Sequence, residues 1–251
     1  MSIAHASFIL AVMLTGATPG LAASYGDTLL ASEEARHPDL LSVKLDVAGK
    51  NGPLAVRRGQ TDAGWGANTL ALTDAMGNAI GTVTLRLRPG STDTAGAIAA
   101  DLARRIYTPD GLAEPDPFVA AGVRAPRAQA LVDRMVDTHP GLVTLAMHVT
   151  VPGDSVNRII ASNFGRIGKA ADDDDRHVFT DGATLREVTN AGRRVAVELP
   201  MHDRNGAVIG ALSTSFLLAP GEDAAAAEVK AVKLRDDIAR ATLSLSALTK
   251  D

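Results

Sequence analysis

The chain has 251 residues, with 25 Lys and Arg against 29 Asp and Glu, a formal net charge of −4 and no cysteine. A chain of this length buries a real core without staples, and the missing thiols exclude disulfides, thiolate metal sites and cysteine nucleophiles. The mild negative charge gives no long-range attraction for a phosphate backbone or an anionic lipid surface, so nucleic acid is not an expected partner.

The first element is the apolar stretch "SFILAVMLTGATPGLAA", followed by small residues suited to cleavage, and residues 1–23 read as a signal peptide. No later run approaches the roughly 18–20 apolar residues needed to cross a bilayer. The mature chain is therefore expected to be soluble and periplasmic or secreted. Residues 24–110 follow as a first module. A helix ends at His37-Pro38, the strand "HPDLLSVKLDV" leaves it, a turn forms at "DAMGNAIG" from Asp74, and "TDTAGAIAADLARRIY" reads as a closing helix. Trp65, the only tryptophan, sits in this module in "DAGWGAN". If exposed it would mark a contact surface, although burial is the commoner fate of the residue type.

Prolines and glycines make residues 111–124 a linker. The second module, residues 125–251, opens on "RAQALVDRMVDTHP", where Leu131, Val132 and Met135 give a helical stripe that must stop before Pro140. It then repeats the earlier order: "HPGLVTLAMHV" from His139, "DRNGAVIG" from Asp203 and a long final helix. Asn205-Gly206 supplies the positive-φ pair of a tight hairpin. Between these landmarks the second copy is longer by about the 159–179 loop and the strand after it, so the first copy is a shortened one. His37 and His139 recur as a consequence of this repeat. A His in the last turn of a helix before a proline is expected to cap the helix rather than hold a ligand.

In "LVTLAMHVTV" from Leu142, Val143, Leu145, Met147, Val149 and Val151 alternate with Thr144, Ala146, His148 and Thr150. A solvent face would carry Lys, Glu or Arg, and these small polar residues fit the lining of a pocket instead. The strand after the second hairpin adds Ser213 to one side. Glu198 is the only acid in "RRVAVELPMH" and needs water, a cation or a donor, with Arg158, Arg166 and Lys169 as its expected partners. In "IIASNFGRIGKAADDDDRHVF", Ser162 and Asn163 end a strand, Gly165 and Gly168 allow sharp turns, and Arg166 with Lys169 sets two cations at the proposed pocket mouth. Asp172 to Asp175 lack the alternation, central Gly and distal Glu of a calcium loop and read as solvated or helix N-terminal acids. His148, His177 and His202 have no metal-site spacing, and no catalytic or cofactor-binding motif stands out.

Helix, strand, strand, variable loop, strand, hairpin and final helix, carried by "HPGLVTLAMHV", "NRIIASNFGRIGK" and "VAVELPMHDRNGAVIGALSTSF", resembles an extracytoplasmic PAS-like module of the Cache type. The resemblance implies an α+β fold of two tandem modules. Each would have an antiparallel sheet with long flanking helices on one face, and the second a ligand pocket on the other. It further implies a sensor-type protein that binds a small molecule, anionic or strongly hydrogen-bonding, through His148, Ser162, Asn163, Arg166, Lys169, Glu198 and Ser213. No cofactor is expected. A separate membrane protein would receive the signal, and the shortened copy would serve packing, homodimerisation or docking; a protein-interaction scaffold or a divalent-metal binder is the alternative reading.

Overall fold

The computed structural model describes residues 23–59, 67–116, 125–190 and 192–250. The expected signal peptide up to residue 22, Trp65 and the 117–124 part of the linker lie outside the described residues. The fold is α+β, with two antiparallel sheets of four and five strands. No helix among the described residues is long and apolar enough to cross a membrane.

In the first module α1 (Tyr25–Arg36) starts in a capping box between Ser24 and Asp27 and ends at His37, whose backbone N–H bonds to Glu33 O. Strands β1 (Leu40–Gly49), β2 (Gly52–Gly59), β3 (Asn68–Thr73) and β4 (Ala79–Leu87) pair in the order β2-β1-β4-β3, and α2 (Ala95–Arg105) closes the module. Both helices lie on one face of the sheet, over a core that includes Leu30, Leu45, Val83, Leu85, Ile98 and Leu102. Among the described residues nothing covers the opposite face: Lys44 and Asp46 pair with each other in solvent at 2.8 Å, and Thr69 and Thr84 share a hydroxyl bond of 3.1 Å.

The second module repeats this skeleton. It comprises α3 (Pro126–Thr138), β5 (Leu142–Thr150), β6 (Asn157–Ser162), α4 (Asp173–Asp181), β7 (Leu185–Thr189), β8 (Arg194–His202), β9 (Val208–Leu217), α5 (Ala224–Ala241) and the short α6 (Leu245–Leu248). The sheet order is β6-β5-β9-β8-β7, which is the first sheet with one strand added at the β8 edge. Helices α3 and α5 cover one face over Leu145, Met147, Val197, Leu199, Leu212 and Phe216. On the other face lies α4, which has no counterpart among the described residues of the first copy. The length difference between the copies is thus a covering helix and an edge strand.

The repeat extends to individual hydrogen bonds. Asp74 accepts from the backbone N–H of Met76 and Asn78, and Asp203 accepts from Asn205 and Ala207. Each hairpin then donates to the end of its closing helix, Ala75 N to Ile106 O and Arg204 N to Thr242 O, both at 2.8 Å. A buried Asp that satisfies its own turn costs little, since every lone pair facing inward has a donor. The glycines after the two isoleucines are also equivalent. A Cβ on Gly81 would stand 2.0 Å from Asp46 O and one on Gly210 would stand 2.0 Å from His148 O, so neither position can carry a side chain without pushing the neighbouring strand away.

The expected linker begins inside the first module. A 3-10 turn, Asp110–Ala113, buries Leu112 completely, and Glu114 O accepts from Tyr25 N at 2.8 Å. In denaturant unfolding, Gly210→Ala should cost about 2–3 kcal/mol by overpacking. Gly96→Ala, on an open face of α2, should be neutral or stabilising by up to about 1 kcal/mol.

Candidate functional site

Six of the seven residues singled out from the sequence fall into two places, and the seventh, Lys169, is exposed. His148, Ser213 and Glu198 come together on the sheet face beneath α4. Register makes this unavoidable, because His148 of β5 pairs with Ala211 of β9, and Ser213 of β9 pairs with Glu198 of β8. With Thr144, Ala146 and Ser215 they form the polar side of the alternation. Thr144 and Ser215 close one end of that face with a buried hydroxyl bond of 2.6 Å.

The cover is built by the four aspartates. Asp172 is the N-cap of α4 and forms a capping box with Asp175, while Asp173 and Asp174 fill the exposed remainder of the first turn. Acids at a helix N-terminus are favoured by the exposed N–H groups there. Helical spacing turns Asp175 and Val178 inward, and both are buried. Asp175 Oδ1 accepts from the Ser213 hydroxyl at 2.8 Å, and its Oδ2 lies 3.2 Å from His148 Nδ1 without the alignment of a hydrogen bond. His148 Nε2 is 3.2 Å from the same hydroxyl. The serine proton is directed to the carboxylate, which leaves the imidazole no hydroxyl proton to take.

Burial sets the protonation here. It lowers the His148 pKa against the opposing pull of Asp175. Glu198 is half-buried, and its Oε2 is sealed from solvent with no hydrogen-bond partner. Burial, reinforced by Asp175, Asp172 and Asp174, pushes this carboxyl from 4.5 to about 7. The cationic partners expected for it are engaged elsewhere. Arg158 bonds to Asp154 and to Gly168 O, and Arg166 makes a two-pronged pair with Glu114 at 2.9 and 3.1 Å. Lys169 is exposed and comes near enough only to oppose protonation of His148.

Ser162, Asn163 and Arg166 belong to the junction between the modules. Asn163 Oδ1 accepts from Leu145 N at 2.7 Å, and its Nδ2 donates to Val143 O and to Arg104 O. Its backbone carbonyl and that of Arg105 lie 2.9 and 2.7 Å from the buried Tyr25 hydroxyl. Gly165 packs so tightly on the Tyr25 ring that a Cβ would stand 2.6 Å from it, and Arg166 adopts a positive φ of 67° beside it. The glycine turn is therefore a clasp onto the first module, where the sequence reading placed a lid over the pocket. Beside the clasp a cavity of about 380 Å³ lies between the modules, lined by Leu29, Ser32, Asp116, Gln129, Ile160 and Ser162 among others. The inward position of Asp175 and this cavity were not legible in the sequence. The Asp172-x-x-Asp175 capping spacing, followed by Val178 one turn on, was the available sign that one of the four acids faces inward.

No family model matches the chain, and no curated protein matches it. Two solved structures are similar to parts of it at low TM-scores. The Agobacterium tumefaciens repressor BlcR shares 11% identity over 68% of this chain and 78% of that one, with a TM-score of 0.27. PelD 158-CT from Pseudomonas aeruginosa PAO1 shares 14% over 88% and 78%, with a TM-score of 0.24. Likeness at this level transfers no function.

A stability consequence follows from Glu198. The folded chain holds its proton more tightly than the unfolded chain does, so this contribution to stability is complete below about pH 4.5 and is lost as pH rises through about 7. Glu198→Gln should therefore melt close to wild type near pH 5 and above it at pH 8, as followed by circular dichroism. A residual slope should remain from Glu33, which burial also pushes to about 7.

Proposed function

We propose that the chain is an exported, sensor-type protein of PAS-like (Cache-type) organisation. Its small-molecule ligand enters between α4 and the sheet of the second module. It passes the binding event to a separate membrane protein. The observation that carries this reading is the polar cluster under α4: His148, Asp175 and Ser213 in mutual contact, with the unpaired Glu198 Oε2 at its margin. A buried acceptor with no donor is costly in the free protein, and a ligand group that donates to it recovers that cost. Support for the architecture comes from the five-stranded antiparallel sheet with both long helices on one face and a short helix on the other.

The surrounding charge sets the ligand chemistry. Glu198, Asp172, Asp174 and Asp175 gather at one end of α4, so the ligand is an amine or another strong hydrogen-bond donor. The anionic ligand suggested by Arg166 and Lys169 is disfavoured, because Arg166 is committed to Glu114. Helix α4 buries only Asp175 and Val178, a thin attachment suited to a cover that lifts. A second reading places the ligand in the cavity at the module junction, whose volume is in the range of small-molecule sites.

Thermal-shift screening with small amines, neutral polyols and carboxylates discriminates between the two. An amine should raise the melting temperature by mass action, more at pH 8 than at pH 6 because Glu198 ionises through about 7. Glu198→Gln and Ser213→Ala should abolish that shift while Ser32→Phe leaves it intact. Loss of the shift only in Ser32→Phe would move the site to the junction.

A further inference from the structure

The first module contains an unusual buried acid. Glu33 on α1 is 0% exposed, whereas the second copy has Met135, also buried, at the same distance before its His-Pro pair. One Glu33 oxygen pairs with Arg36. The other, Oε2, is sealed from solvent and has no hydrogen-bond partner. It faces His37 Nε2 at 3.7 Å, and one ligand atom from each of Glu33, His37 and Asp101 on α2 lie within 4.8 Å of one another.

The histidines of the two copies are used differently. His139 is saturated: Nδ1 reaches Met135 O at 3.0 Å and Nε2 reaches Asp237 at 3.0 Å. His37 has its Nδ1 on Asp93 at 3.1 Å. A carboxylate on Nδ1 fixes the proton there and leaves the Nε2 lone pair free, and this arrangement orients histidines toward metals. Asp101 and Asp237 are matching positions in the motifs "DLARRI" and "DIARAT" of the two closing helices. Copy one thus keeps the His–Asp contact region of copy two, adds a buried carboxylate and turns the imidazole to face it.

We infer that Glu33, His37 and Asp101 form a binding site for a divalent transition metal of the zinc type, with Asp93 orienting His37. Zinc takes nitrogen at about 2.0–2.1 Å and carboxylate oxygen at about 2.0–2.2 Å, so tetrahedral ligand atoms stand about 3.4 Å apart. The 3.7 Å between His37 and Glu33 needs only a small closure. Three protein ligands leave one position for water. The guanidinium of Arg36 pairs with Glu33 Oε1 and with Asp101 Oδ2, beside the Oε2 that faces His37, and must release Asp101 for the ion. It is about one-third exposed and can swing into solvent. Asp101 Oδ2 also lies 3.4 Å from Arg105, and its Oδ1 accepts from the half-exposed Arg104 at 2.7 Å, so Asp101 ligates by exchanging the Arg36 contact while the other two remain.

The test is titration of the purified chain with Zn²⁺ alone, in a non-chelating buffer at neutral pH, by calorimetry and by melting temperature. The wild type should take up one ion with a rise in melting temperature. His37→Ala and Glu33→Met should each weaken that uptake by more than about tenfold, and so should Asp93→Asn, which removes the orienting carboxylate. Glu33→Met carries the side chain that the second copy already buries at this place, and Asp93 is partly exposed, so both variants are expected to keep the fold, checked by their melting temperatures without metal. His139→Ala and His177→Ala should bind as wild type does. Absence of uptake by the wild type, or unchanged uptake in Glu33→Met and Asp93→Asn, overturns the site. Neither result bears on the cluster under α4.

Discussion

The side chain of Asn163 is the constraint on which the arrangement of the two modules depends. Its amide stands in for a strand neighbour, accepting from Leu145 N and donating to Val143 O just where β6 departs from β5. The same residue reaches Arg104 O through Nδ2 and receives the Tyr25 hydroxyl on its backbone carbonyl. Buried polar groups tolerate this position only when all are paired. The turn from Asn163 to Arg166 therefore has one permitted shape. Gly165 against the Tyr25 ring and the Arg166–Glu114 pair follow from it. Arg105, bonded to Asp133 across the junction at 2.7 Å, adds an ion pair that is nearly buried on the arginine side.

Given that clasp, duplication explains most of the skeleton and divergence explains the chemistry. Asp46 in β1 and His148 in β5 hold the same register against Gly81 and Gly210. In copy one the face around Asp46 is wet, and Lys44 beside it is charged. In copy two the same face lies under α4, and Lys44 is replaced by the fully buried Ala146. A sheet face accepts Lys and Asp only if water reaches it. The gain of α4 and the loss of these charges are a single change seen twice.

Much of this was legible in the sequence, for identifiable reasons. The tandem copies could be read because turn chemistry is local: Asp74 and Asp203 satisfy their own hairpins, and that requires the residue and its spacing alone. The small polar alternation of β5 could be read because register fixes which side chains share a face. His37 and His139 were correctly placed at helix ends. The partners of charged residues were beyond reach, because they depend on tertiary approach. Arg166 is close in sequence to the pocket strands, yet it pairs with Glu114, far from it along the chain. Asp175 looked like one solvated acid of four because its inward direction is set by helix phase, and the phase depends on where the cap begins. Glu33 was invisible for a related reason: an acid on an ordinary helical segment signals nothing until its burial is known.

Two carboxylates, each with one sealed oxygen that has no hydrogen-bond partner, lie on different layers of the same design. Glu33 is under the helices of copy one, and Glu198 is on the opposite side of the sheet in copy two. Burial pushes both upward, to about 7. They are also linked. Asp101 beside Glu33 holds Arg105, and Arg105 holds Asp133 of α3 while its own carbonyl takes the Tyr25 hydroxyl. Helix α3 packs on β6 and β5, and β5 carries His148. Asp101 is thus joined to a helix that packs on the second sheet through one arginine. The shortened copy is held to the other module by this ion pair as well as by the Asn163 turn, on the helix-covered face opposite to the polar cluster.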